Sequence, residues 1–396
     1  MASESKHIPA DLLIDLLCRL PVKSLFRCMC VCKTWHHLIR TPSFVKIHLN
    51  YQKASSNTNK YILYQDSHLC TLLTDSEQLF GFTKSKLYYT PRSFDMHIRR
   101  LFVHGVCDGL ICLTVWLSAI SDMYLWNPIC RKVKKLPNLK ISSFGTTSTP
   151  PPFICGVGFG YYDDDYKVVV IAHFGNKYVV SVYSLSSNTW NVIRTNFHCK
   201  HAGSFRDTKF VGGTTYTMTS RNTIVCFQLC DETIRVFDFP EEFSPAAVTA
   251  VDMIRIEAYE ETVALLSCDS GYFYMWILRD KSSSTSSWEK KFRVQFQKIG
   301  IHKVVGFLNN GKYLVRTLSY PRGLNVKLFW CDLDFPKLTE FRSMEVRESS
   351  YHAGIHANCT ESLFLLDEDR IDPFVHSEME SFCSSMLLIL RQDYSP

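Results

Sequence analysis

Cys28, Cys32 and His36 fall at i, i+4 and i+8, and their side chains are of the kinds that ligate zinc. Tetrahedral zinc takes four ligands, usually from a turn and a second element. Three groups spaced about 6 Å apart along one helical stripe cannot converge on one ion. Small buried hydrophobes describe these cysteines better, and neither a metal nor a cofactor is expected. Gly156, Gly158 and Gly160 lead into Tyr161-Tyr162-Asp163-Asp164-Asp165 rather than into a helix, so turn or bulge glycines fit better than a phosphate cradle. The three aspartates read as turn acids ahead of a strand rather than a cation site. The 14 histidines fall mainly in helical and loop segments, with no Ser-His-Asp, H-E-x-x-H or paired-carboxylate pattern. No catalytic residue is assigned, and the chain is expected not to be an enzyme.

The residues that stand out are apolar. Between positions 8 and 39, 19 of 32 residues are Ile, Leu, Val, Phe, Met, Cys or Trp, with prolines marking the helix boundaries. Pro9 suits a first helical turn, where its missing N–H is not needed, and Pro21 stops that helix after Leu20. At 3.6 residues per turn, Leu12, Leu13, Leu16, Leu17 and Leu20 share a broad face that Ile14 and Cys18 extend. Only Asp11, Asp15 and Arg19 form a polar stripe. A second helical segment carries Leu25, Phe26, Met29 and Val31, and Trp35, Leu38 and Ile39 follow. Three short helices with this much apolar surface cannot bury it on themselves, and units below about 40 residues seldom stand alone. A partner is therefore expected.

The collinear set Ile8-Pro9, Asp11-Leu12, Leu16-Leu17, Leu20-Pro21-Val22-Lys23-Ser24-Leu25, Arg27, Val31-Cys32-Lys33 and Trp35 resembles the F-box in its plant form. The resemblance implies binding to a Skp-type adaptor and, indirectly, to a cullin scaffold carrying a RING ubiquitin-ligase module. The implied adaptor contacts are Ile8, Pro9, Leu12, Leu16, Leu17, Leu20, Pro21, Leu25, Val31 and Trp35. The sequence departs from the usual F-box pattern at Cys28, where Phe is normal, and at His36.

From about residue 60 the helical period gives way to short runs of Val, Ile, Tyr, Phe and Trp between Gly, Asn, Asp and Ser clusters, an all-β signature. Aromatic anchors recur at Trp126, Tyr183, Phe227, Trp276 and Trp330, spaced by 57, 44, 49 and 54 residues, with Tyr64 as a degenerate sixth copy. All-strand repeats of this size predict blades of a propeller, six or seven in number. Glycine-containing strands fit between the anchors at 105–113, 211–216 and 305–307. Glu361 to Leu366 reads as a last strand that closes the ring on the degenerate first blade.

Residues 100–345 resemble the plant F-box-associated, kelch-related domain through Cys107-Asp108-Gly109-Leu110-Ile111, Trp126-Asn127-Pro128, Gly158-Phe159-Gly160-Tyr161 and Asp165-Tyr166-Lys167-Val168-Val169. Phe210 to Thr217, with Gly212-Gly213, departs from the family, which usually has Asn and a His-Trp pair there. The fold expected is α+β multidomain: a small N-terminal three-helix F-box and an all-β propeller-like domain. The expected divisions are 1–50 for the F-box, 51–60 for a junction, 61–380 for the propeller and 381–396 for a tail. Two low-complexity stretches, 142–152 and 282–287, read as long loops.

Composition narrows the partners. A net charge of +6 is too mild for a nucleic-acid footprint. The basic run Arg131-Lys132-Val133-Lys134-Lys135 reads as a charged edge strand that discourages sheet-to-sheet pairing. No stretch approaches the 18 apolar residues of a membrane span, and no secretory pattern opens the chain. The 16 irregularly spaced cysteines read as reduced thiols of a cytoplasmic or nuclear protein. The resemblance thus implies a non-catalytic substrate receptor of an SCF-type ubiquitin ligase. Its substrate, a protein, is not legible. A receptor of style ribonucleases of the S-locus type and a non-ligase propeller scaffold are the alternatives.

Overall fold

The computed structural model describes residues 9–55, 61–66, 69–74, 100–117, 120–130, 132–139, 153–174, 177–194, 205–220, 222–242, 254–269, 272–280, 287–295, 301–307, 312–318, 325–332, 338–345 and 354–364. Four helices open the chain: α1 (Ala10–Cys18), α2 (Val22–Met29), α3 (Lys33–Arg40) and α4 (Pro42–Ala54). Pro9 is the N-cap of α1 rather than a residue of its first turn, and its carbonyl accepts from Leu13 N at 3.1 Å. The fourth helix was not expected. Its signals are Thr41, whose hydroxyl accepts from Phe44 N at 3.3 Å, and Pro42 in the first turn. α4 runs through the boundary expected at residue 50: Gln52 is buried and bonds the His48 ring at 3.2 Å. The premise of a single stripe of Cys28, Cys32 and His36 also fails. Cys28 belongs to α2, Cys32 caps α3 by accepting from Trp35 N, and His36 lies within α3.

The strands form six sheets among the described residues. The first complete blade is β3 (Arg100–Cys107), β4 (Leu110–Leu117), β5 (Ile120–Asn127) and β6 (Lys132–Lys135). The second is β7 (Phe153–Tyr162), β8 (Asp165–Phe174), β9 (Lys177–Ser184) and β10 (Thr189–Arg194). The third is β11 (Phe205–Val211), β12 (Thr214–Thr219), β13 (Thr223–Gln228) and β14 (Thr233–Asp238). The fourth is β15 (Ile254–Tyr259), β16 (Thr262–Asp269), β17 (Tyr272–Asp280) and β18 (Ser287–Gln295). The fifth is β19 (Ile301–Phe307), β20 (Lys312–Leu318), β21 (Asn325–Asp332) and β22 (Leu338–Glu345). All are antiparallel meanders, and their first strands neighbour one another around a ring.

The sixth sheet closes that ring. β1 (Tyr61–Asp66) pairs on one side with β2 (Leu69–Thr74) and on the other with β23 (Gly354–Cys359), which neighbours both β19 and β3. Closure between the two ends of the domain follows the expectation, but its strand does not. β23 lies upstream of the predicted segment, and Glu361 to Phe364 belongs to no strand; residues 365–366 lie outside the described residues. The anchors Trp126, Tyr183, Phe227, Trp276 and Trp330 all occupy the third strand of their blades, β5, β9, β13, β17 and β21. Tyr64 differs, lying on β1, the second strand counted outward from β23.

Neighbouring blades are joined by fitted side chains. The G-x-G-x-G run lies inside β7 rather than in a turn, with a register shift beside Gly156. A Cβ on Gly158 would meet Thr215 at 2.8 Å, and one on Gly156 would meet Thr217 at 2.7 Å. Thr215 and Thr217 of β12 therefore interlock with a glycine face of β7. Two outer-strand tryptophans tie blades together as well: Trp190 Nε1 donates to Pro137 O at 2.7 Å, and Trp288 Nε1 donates to Asp238 O at 2.8 Å. On the inner strands, Lys209 pairs with Glu257 at 3.0 Å and Arg255 with Asp207 at 3.4 Å, bridging the third and fourth blades.

β6 is an edge strand as expected, although Lys134 on it is buried. Of the three turn aspartates, Asp163 and Asp164 are exposed with left-handed backbones. Asp165 is buried and accepts from Ser186 N and Ser186 Oγ, at 3.0 and 2.8 Å. The stretches 142–152 and 282–286 lie outside the described residues, and residue 287 begins β18. No helix among the described residues is long and apolar enough to cross a membrane. No group of three or more His, Cys, Asp or Glu among them is placed to hold a metal.

Candidate adaptor-binding site and its seat on the propeller

The helices sort the ten predicted contact residues into two layers. Leu12, Leu16 and Val31 are 57%, 56% and 66% exposed, and Pro9 and Pro21 are exposed beside them. Leu12 and Leu16 lie one turn apart on α1, so their side chains adjoin on one face. Val31 stands in the α2–α3 turn. Leu17 and Leu25 are buried and do not reach the surface, because they pack into a core formed by the helices with Cys130 and Leu363 of the propeller. Leu20 and Trp35 are half-buried against the same core. Ile8 lies outside the described residues. The buried pair thus holds the exposed row in place from beneath.

That core is shared with the propeller. Leu17, Cys18, Val22, Leu25, Ile39 and Phe44 pack with Cys130, from the β5–β6 turn, and with Leu363, beyond β23. Pro21, the N-cap of α2, offers no side-chain acceptor to the first N–H groups of the helix. Glu361 supplies one: its carboxylate accepts from Val22 N at 3.0 Å in a buried contact. A carboxylate here also meets the positive end of the helix dipole. The buried His48 ring bonds Leu20 O at 3.0 Å, which fixes the chain entering α2. Burial lowers the His48 pKa below its ordinary value, opposed by the Leu20 carbonyl and the Glu361 charge.

The segment carrying Glu361 is itself pinned. Asn127 donates to Ser362 O at 3.2 Å and to Phe364 O at 3.1 Å, while its own oxygen accepts from Ile129 N and Cys130 N, each at 3.1 Å. Cys130 Sγ donates to Ser362 O at 3.2 Å, and burial pushes its thiol pKa up to about 12. Gly109, at φ +77°, lets Thr360 O come so close that a Cβ would lie 2.6 Å from it. Its neighbour Asp108 pairs with Lys53 of α4 at 2.7 Å and accepts from Tyr166 OH at 3.2 Å. The motifs around Asp108-Gly109, Asn127 and Tyr166 therefore form a socket for the helices and the 360–364 segment. Reading the sequence alone missed this role for Glu361, because no local pattern links it to a helix 339 residues away.

The F-box domain family matches residues 6–47, and the F-box associated beta propeller domain family matches residues 61–366. The chain belongs to the F-box associated propeller family. Among relatives of this F-box protein, "F-box protein CPR1" of Arabidopsis thaliana is 26% identical over 88% of this chain and 87% of its own length. "Putative F-box protein At5g52610" of the same plant is 25% identical over 92% of this chain and 98% of its own. A solved structure of RRP9 WD40 repeats aligns with 62% of this chain and 84% of its own, at 13% identity and a TM-score of 0.32. In this F-box protein the four helices carry the F-box, and the six sheets carry the associated propeller.

Proposed function

We propose that this F-box protein is the substrate-binding subunit of a Skp–cullin–F-box ubiquitin ligase. Pro9, Leu12, Leu16, Pro21 and Val31, with Ile8 ahead of them and Leu20 and Trp35 at the margin, receive a Skp-type adaptor, through which the cullin scaffold is reached. Leu17 and Leu25 act from below. The propeller holds a protein substrate, and the chain carries out no chemistry itself. Its contribution is proximity: holding a substrate beside a charged conjugating enzyme replaces a bimolecular encounter with one at high effective concentration.

The observation that carries this reading is the uncovered apolar row. Leu12, Leu16 and Val31 lie more than half exposed on a short helical unit, and burying what remains of each against a partner contributes about 1–2 kcal/mol. The F-box covers part of the ring end that bears the β3–β4, β5–β6 and β7–β8 turns. The test is direct binding of the purified full chain to a Skp-type adaptor. Wild type binds, and Leu12→Asp with Leu16→Asp abolishes binding while the chain stays folded. Failure of the wild type to bind sinks the proposal.

A further inference from the structure

We propose that Thr360–Phe364 is a latch that couples the seating of the F-box to the closing strand of the propeller ring. Adaptor and substrate surfaces are thereby held at one fixed angle. The consequence for ubiquitin transfer rests on the substrate-receptor reading; the latch itself does not.

Four independent observations converge on this segment. First, α2 has no side-chain cap of its own and takes one from Glu361, at 3.0 Å from Val22 N. Second, Asn127 grips the segment through the carbonyls of Ser362 and Phe364 while bonding its own turn with its other side-chain atom. Third, Leu363 is buried in the core of the F-box rather than in a blade. Fourth, the segment follows directly from β23, whose pairing with β1 completes the ring, and Thr360 O rests against Gly109. The latch position is thus set by ring closure at one end and read by α2 at the other. If β23 leaves β1, the segment loses its anchor on the ring and is held under Val22 only by Asn127, Cys130 and the contact at Gly109. Lys53–Asp108 is a second tether between helices and propeller, but it does not depend on the 360–364 segment.

Asn127 and Glu361 are positioning residues, and Cys130 reports on them. Its thiol is buried between propeller and F-box, whereas that of Cys112 is buried in the core shared by the first two complete blades. The experiment uses the full chain and compares wild type with Glu361→Ala, Asn127→Ala and Glu361→Gln, which keeps an acceptor oxygen but not the charge. The measurements are peptide-resolved alkylation by iodoacetamide, amide exchange over 22–25, and small-angle scattering. Both alanine variants are expected to speed Cys130 alkylation and exchange in α2 by about tenfold. They also enlarge the radius of gyration while Cys112 stays protected, and the glutamine variant falls between them and wild type. The latch is overturned if Glu361→Ala leaves Cys130 as protected as in wild type. It is also overturned if Cys130 and Cys112 open together in Glu361→Gln as well as in both alanine variants, since the contact would then only support the general fold. Adaptor binding by the same four proteins is a separate arm. Loss of binding in all four, wild type included, sinks the receptor reading and leaves the alkylation result intact.

Discussion

Glu361 and Val22, 339 residues apart, meet in a buried 3.0 Å hydrogen bond. The first backbone donor of α2 is thus satisfied from the far end of the propeller, and the helix is complete only when both modules are in place. Replacing a helix cap typically costs about 1 kcal/mol, and a charged acceptor adds to that. Burial of Leu363 and Cys130 among the F-box residues adds an apolar share to the same contact. The two modules are expected to melt together.

Gly109→Ala is expected to damage this junction from the propeller side. The left-handed backbone disfavours any Cβ, and the added atom would lie 2.6 Å from Thr360 O, which is main chain and cannot swing aside. A loss of about 2–3 kcal/mol is expected in urea unfolding, with extra alkylation of Cys130 at denaturant concentrations where Cys112 is still protected.

The two layers of F-box residues make opposite predictions. Leu16→Ser removes an exposed side chain and should shift stability by less than about 0.5 kcal/mol while weakening adaptor binding. Leu25→Ala removes a fully buried one and should cost about 2–5 kcal/mol. Thermal melts paired with adaptor titrations separate them. Equal destabilisation by both would contradict the layering.

The blade junction at Gly158 predicts a coupled pair. Gly158→Ala drives a Cβ to within 2.8 Å of Thr215 Cγ2 and Oγ1, and Thr215→Ala removes both atoms. The single Gly158 variant should be destabilised and the double variant partly restored, with a coupling of about 1–3 kcal/mol in a double-mutant cycle. Strict additivity would show that the two strands adjust independently.

Acidification should weaken the fold through histidine. His104 bonds Thr114 Oγ1 at 2.9 Å on the first complete blade, and burial lowers its pKa to about 4. An unfolded histidine takes up a proton near pH 6.5. The unfolded chain therefore binds more protons between about pH 6.5 and pH 4, so stability falls as pH is lowered through that window and is level above it. The contribution is at most about 3 kcal/mol, less where water reaches the half-buried ring. Urea midpoints of wild type should drop relative to His104→Gln between pH 7 and pH 4.5. Parallel curves would refute the assignment.

How much of this was legible depended on whether a residue's partner was local. Leu12 and Leu16 showed as a surplus on a helical wheel, because a wheel needs only 3.6-residue periodicity. Trp126, Tyr183, Phe227, Trp276 and Trp330 fell on matching third strands, and Trp126, Tyr183, Phe227 and Trp276 are buried there, because the repeat returns a large side chain to the same strand of each blade. β23 was obscured by its neighbours: Gly-Ile-His-Ala-Asn-Cys has little β-branched character, while Leu363-Phe364-Leu365-Leu366 has the apolar run of a strand. Leu363 is apolar because it enters the F-box core, a destination no strand pattern encodes. Gly156 and Gly158 show as turn or bulge glycines, and the register shift beside Gly156 fits the bulge; the close packing does not show, since Thr215 and Thr217 lie on the next blade.

Closure of the ring by β1 and β23 also fixes a timetable. The ribosome releases α2 first, and Glu361 follows 339 residues later, roughly 20–70 s at ordinary rates of elongation. Throughout that interval the helices have only the first two complete blades to rest on, through Cys130, Asp108 and Asp164, and a message cut short before residue 361 makes an F-box whose α2 lacks its cap. The last strand synthesised thus certifies the first helices made.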